Sequence, residues 1–82
     1  MTEKSKIFAT ISNVLAEYVP EGTEITGDTK IVADLEIDSV DVFDLIMEVE
    51  DTYDISISME LISTTHTVGE LVNVVDDLIS AN

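Results

Sequence analysis

The chain has no cysteine and no tryptophan, and only one proline and three glycines. Without cysteine there is neither a disulfide framework nor a thiolate metal site, so packing alone must hold the fold together. Basic residues are almost as scarce. Lys4, Lys6 and Lys30 stand against 18 acids, for a formal net charge of −15 at pH 7, and no lysine or arginine follows position 30. Such a surface repels nucleic-acid phosphates and anionic lipid headgroups, and it speeds encounter with proteins that present basic patches. Solubility alone is the competing explanation of the charge, so the placement of the acids has to decide. Nowhere do eighteen apolar residues follow one another, and the opening "MTEKSKIFATIS" lacks the apolar run and small-residue cleavage site of a secretory signal. A cytoplasmic chain without membrane insertion is expected.

What is present is 82 residues with 45% hydrophobic side chains, enough for one modest core. A single domain over residues 1–82 is expected. Ile7, Phe8, Ile11, Val14, Leu15 and Tyr18 recur at helical steps, and Pro20 ends the run. Residues 21–38 have no sustained period and contain Gly22 and Gly27, which predicts a long loop, anchored in the core by Ile25, Ile31, Val32, Leu35 and Ile37. A second helix is predicted from Ser39 to about Tyr53, with Asp38 as its N-cap and Asp41 adding charge to its first turn. The "ISIS" at 55–58 is too short and unpartnered for a strand and reads as an extended link, followed by one helical turn at "MELIS". Thr67 and Glu70 have capping-box spacing, and Val68, Leu71, Val72, Val75, Leu78 and Ile79 supply the apolar face of a last helix. The predicted fold class is all-α: a small four-helix bundle of three main helices and one short helix, with a long ordered loop between the first and second.

The second helix is the unusual one. At about 100° per residue, Asp41, Asp44, Glu48 and Asp51 fall on one narrow face. Val42, Phe43, Ile46, Val49 and Tyr53 are expected to point into the core, and Val40 and Met47 lie at the border beside the acids. Each like-charge pair three or four residues apart costs roughly 0.2–0.5 kcal/mol, and no lysine alternates to relieve it. A helix shaped only for solubility would mix signs. An anionic stripe edged by Val40 and Met47 suits docking onto basic, partly apolar protein surfaces.

Ser39 by position alone is a cap. A helix N-terminus also stabilises a phosphate, so a phosphoryl linkage on this oxygen would be well placed. Catalysis by Ser39 is not expected: the only histidine is His66, and no Gly-x-Ser-x-Gly elbow surrounds it. His66 reads as a surface or helix-edge residue and receives no chemistry. No Asp-x-Asp-x-Asp-Gly type of calcium loop is present, so no specific metal site is expected.

The stretch "DLEIDSVDVFDLIMEVEDTYDISIS" resembles the segment around the attachment serine of acyl carrier proteins. The resemblance extends over nearly the whole chain, because the first helix, the long loop, the Ile-x-Ile link and the Thr-Val start of the last helix fall in the family's order. It implies a carrier, not an enzyme, whose Ser39 takes 4′-phosphopantetheine from a separate phosphopantetheinyl transferase and then holds acyl groups as thioesters. Asp38 matches the acid before the serine. Asp41, Asp44, Glu50 and Asp51 match acidic positions of the family's recognition helix, Val40 and Met47 match its apolar contacts, and Glu48 adds an acid where a small residue is frequent. The partners implied are acyltransferases, synthases and other acyl-processing enzymes with basic docking patches, met by a monomer. An acyl cavity is assigned to Phe43, Ile46, Val49, Ile57, Ile62 and Thr65. Phe43, Ile62 and Thr65 depart from the usual residues, so chain length and pathway, whether fatty acid or a specialised lipid or polyketide route, cannot be borrowed. An unmodified acidic adaptor and a peptidyl carrier are the alternatives.

Overall fold

A computed structural model describes residues 3–81, with the side chains of residues 3, 39 and 81 outside the description. Four helices follow one another: α1 (Glu3–Leu15), α2 (Ser39–Tyr53), α3 (Met59–Thr64) and α4 (Val68–Ala81). The described residues contain no strand, and one isolated antiparallel bridge joins Lys30 to Thr67. The architecture is the small helical bundle that the periodicities predict. Helix α1 packs chiefly on α4 and secondarily on α2.

The core forms where the apolar periods meet. Ile7, Ile11 and Leu15 of α1 meet Leu45 and Val49 of α2 and Val68, Leu71 and Val75 of α4, all of them at most 1% exposed. Fully burying an aliphatic side chain of this size stabilises by about 1.5–3 kcal/mol, so this shared seam is the main adhesive of a chain without disulfides. After Leu15 the chain tightens into i→i+3 bonds, from Glu17 N–H to the Val14 carbonyl and from Tyr18 N–H to the Leu15 carbonyl, before Pro20 stops it.

Ile31, Leu35 and Ile37 do anchor the loop, each 8% exposed or less, with Ile25 packed against them in part. Val32 does not: it is 57% exposed. Without a regular period, sequence alone cannot say which of two neighbouring apolar loop residues turns inward, and here Ile31 takes the inner position.

Backbone bonds fix the loop to the head of α4. Gly69 N–H donates to the Gly27 carbonyl at 2.8 Å, Val68 N–H to the Thr29 carbonyl at 2.9 Å, and Ile31 N–H to the His66 carbonyl at 3.0 Å. The capping box completes the joint. Glu70 N–H donates to Thr67 Oγ1, while Glu70 Oε1 accepts from the N–H groups of His66 and Thr67 at 2.8 and 2.9 Å. The first N–H groups of α4, which have no partner inside the helix, thus find partners in the loop and the cap. Gly69 has to be glycine for this approach, since a Cβ there would stand 2.8 Å from the Gly27 oxygen.

The link after α2 begins at Asp54, in the left-handed region at φ 55°, and runs extended through Ile57, which is buried. Ser58 Oγ then caps α3 by accepting from Leu61 N–H.

Candidate functional site

The start of α2 is set by two adjacent residues. Ile37 is buried and pins the chain, and Asp38 follows in extended backbone and caps the helix. Asp38 Oδ1 accepts from Val40 N–H at 2.8 Å and from Asp41 N–H at 3.3 Å, and the Asp38 carbonyl takes Val42 N–H at 3.0 Å. The backbone of Ser39 opens the helix, whereas its side chain lies outside the described residues. Asp38 and Val40, on either side of it, are exposed.

This geometry revises the expectation of a phosphate-binding helix start. The N–H groups of Val40 and Asp41, which would cradle a phosphate, are already taken by the Asp38 carboxylate. The backbone N–H groups at this helix entry are therefore not a ready anion cradle.

The faces of α2 turn relative to the expectation. Leu45 is wholly buried, and Phe43, expected in the core, is 41% exposed. Taking about 100° per residue, the buried arc runs from Leu45 through Val49 and Val42 to Ile46, and so lies about 40° closer to the acids than the apolar pattern alone places it. Helix α1 packs on α2, and Leu45 lies in the core that the two helices share. Phe43 consequently joins Met47 (60% exposed) and Val40 (66% exposed) on the outer surface. Asp44 and Asp51 are exposed next to this apolar strip.

Asp41 and Glu48 are only half-exposed. Glu48 Oε2 is shielded from solvent without a hydrogen-bond partner. The Tyr18 hydroxyl, in the turn after α1, lies in the field of the same acids. Burial first, then the charges of Glu48, Asp44, Glu17 and Asp41, push its pKa above the usual phenol value. Glu50 turns inward instead, where its Oε2 accepts from Ile57 N–H at 2.6 Å and ties the link after α2 back to the helix. The helical period places this acid off the stripe, between Ile46 and Phe43, although the resemblance groups it with the recognition acids.

Of the six residues assigned to a cavity, Ile46, Ile57, Ile62 and Thr65 line one small apolar cavity together with Ile31, Val42 and Leu71. Phe43 and Val49 do not line it: Phe43 is exposed and Val49 belongs to the seam between helices. The cavity holds about 10 Å³, room for roughly one water. Sequence reasoning missed Ile31, Val42 and Leu71 as lining residues, although their apolar character and periods were visible. It also missed the position of Tyr18 beside the acids of α2, for which no local pattern exists.

With the geometry in place, the similarities to known proteins become interpretable. Residues 6–75 match the phosphopantetheine attachment site family. The chain is 35% identical over 75 residues to an acyl carrier protein of Coprothermobacter proteolyticus, which covers 90% of this chain and 92% of that one. It is 30% identical over 78 residues to an acyl carrier protein of Picosynechococcus, covering 94% and 96%. An acyl carrier protein of Borreliella burgdorferi is 31% identical over 72 residues, with 87% and 90% covered. The matched span includes the helix entry at Ser39, the exposed strip of α2 and the joint between the loop and α4, and the chain therefore belongs to the phosphopantetheine attachment family, that of the acyl carrier proteins.

Proposed function

We propose that residues 1–82 form one carrier unit in which Ser39 receives 4′-phosphopantetheine from a separate transferase. When bound, that group supplies a terminal thiol able to hold an acyl group as a thioester. The chain's own residues do the rest. Asp38 and Ile37 hold the entry of α2 in place, and the exposed face of α2 meets the enzymes that load, process and unload the acyl group. Acyltransferases and synthases with basic docking patches are the partners this face suits, because Asp44 and Asp51 attract them over distance while Val40, Phe43 and Met47 supply the short-range contact. Phe43 enters this set from its exposure. The observation that carries the reading is the Asp38–Ser39 pair at an exposed helix entry, within a match to the attachment family that spans residues 6–75.

The test is the intact mass of the wild type and of Ser39→Ala after incubation with coenzyme A, Mg²⁺ and a broad-specificity phosphopantetheinyl transferase. The expected result is a gain of one phosphopantetheine in the wild type alone. No gain in a folded wild-type chain, beside a control carrier that is loaded, refutes the reading. Ser39 would then be only the first residue of α2, in an unmodified acidic adaptor.

A further inference from the structure

Two phenylalanines and two tyrosines are the only aromatic side chains of this protein, and three of the four serve the interior. Phe8, Tyr18 and Tyr53 are half-buried and pack against the core. Phe43 does not join them: at 41% exposed, it is the one exposed ring among the described residues. Its neighbours on the helix surface leave it open. Val40 and Met47, three residues before and four after, are themselves more exposed than the ring, so they border it without covering it. Glu50 comes nearest to it in angle among the acids of α2, and that carboxylate is turned to Ile57 N–H.

The place of this ring on the helix matters as much as its exposure. Phe43 stands one turn after Ser39, about 6 Å further along the axis, so an enzyme that reaches an arm on Ser39 also passes the ring. Asp44 follows it directly and is exposed, and Asp51 is exposed two turns later, on the other side of Met47. Helix α2 contains no lysine or arginine to answer either acid. An open ring beside an open carboxylate suits a cation that can serve both at once. Guanidinium is such a cation: planar and weakly hydrated, it lies flat on a ring while its N–H groups still point, in its own plane, at a carboxylate. An ammonium is compact and strongly hydrated, so it answers the acid and gains little from the ring.

We infer that the docking face of α2 selects arginine over lysine: a guanidinium of the partner enzyme lies on the Phe43 ring and donates to the Asp44 carboxylate. Val40 and Met47 border the stacked group and shield it from water. Asp44 and Asp51 attract cations of either kind, and Phe43 makes the choice between them. The inference rests on reading this face as the docking surface of a carrier.

The experiment titrates the isotopically labelled full-length chain with two peptides of equal charge, acetylated tetraarginine amide and acetylated tetralysine amide, and follows amide, methyl and aromatic NMR shifts. The arginine peptide is expected to bind α2 about two- to fivefold more tightly than the lysine peptide, the size of an exposed cation–π contact, and to shift the Phe43 ring protons. Phe43→Leu, a change on an exposed side chain, is expected to lose that preference, and Phe43→Tyr, which keeps a ring, to retain it. Asp44→Asn is expected to weaken both peptides. Shifts on α2 with equal affinities, or a preference that survives Phe43→Leu, overturn the inference and leave the docking face standing. Shifts confined to other elements overturn both. The peptides bind without the arm, so neither result depends on the loading of Ser39, which the mass gain tests separately.

Discussion

Neutralising Glu48 should stabilise the fold. Its carboxylate sits on α2 four residues after Asp44 and three before Asp51, with no cation between them and one oxygen shielded from solvent without a partner. Glu48→Gln keeps the shape and removes two like-charge pairs, each worth roughly 0.2–0.5 kcal/mol, so the repulsion relieved is about 0.4–1 kcal/mol. For a domain of this size one kcal/mol moves the melting temperature by about 4–8 °C, which predicts a rise of about 2–8 °C. The assay is thermal unfolding followed by helical circular dichroism at low ionic strength, repeated near 1 M salt. There the screening length is only about 3 Å, and the difference between variant and wild type should shrink. A second readout comes from Tyr18, whose pKa is raised first by burial and then by Glu48. A raised value means that the fold favours the neutral phenol: this contribution is intact below the ordinary phenol pKa of 10 and is lost as pH rises through the folded value. In Glu48→Gln, ultraviolet titration in a Tyr53→Phe background should place the Tyr18 phenol lower than in the parent. A melting temperature that stays level or falls at low salt, or a gain that salt does not reduce, refutes the reasoning.

Gly69→Ala drives a Cβ to within 2.8 Å of the Gly27 oxygen and should destabilise by about 1–3 kcal/mol. Hydrogen exchange should show the loss first at the amides of Ile31, Val68 and Gly69. Asp38→Ala removes the cap from Val40 and Asp41 and should cost about 0.5–2 kcal/mol in urea unfolding, whereas Asp38→Asn should retain most of it. The Glu70 carboxyl is held below its ordinary pKa first by His66 N–H and then by Thr67 N–H. Because the folded value is the lower one, this stabilisation is present above the ordinary value of 4.5 and is lost as pH falls through the folded value. Melts of wild type and Glu70→Gln should therefore differ most at neutral pH and converge in acid. Asp44→Lys should slow association with partner enzymes and flatten its salt dependence without a loss of helix content, as stopped-flow rates at several ionic strengths would report.

How much of the molecule is legible in its sequence depends on whether a residue's neighbours are close along the chain. Helix α4 can be read outright, since its cap, Thr67 with Glu70, and its apolar stripe, Val68 to Ile79, lie within a dozen or so residues of one another. The entry of α2 is equally local, because Asp38 bonds to N–H groups two and three residues on. The rotation of α2 is not. Phe43 leaves the core position expected of it and Leu45, which the pattern does not assign, is wholly buried, because a single helix's periodicity carries no record of where its neighbours stand. The helical period already sets Glu50 off the acidic stripe, between Ile46 and Phe43, but its partner, Ile57 N–H seven residues on in the link, is not legible from that period. A surface groove that Lys30 and His66 both line is invisible for the same reason: 36 positions separate the two, and only the bridge from Lys30 to Thr67 brings them together.

The joint between the loop and α4 also bears on how the molecule comes together in time. Its three backbone bonds pair residues 27, 29 and 31 with residues 69, 68 and 66, so every one of them closes a circuit of 35 to 42 residues. Contacts that distant carry a loop-closure entropy that short-range helix formation does not. The clasp is therefore a late event of folding, and weakening it at Gly27 or Gly69 should quicken unfolding far more than it slows refolding. The stretch it releases when it opens is the one leading into Ser39, so the lifetime of the clasp sets how long the entry of α2 keeps a single shape.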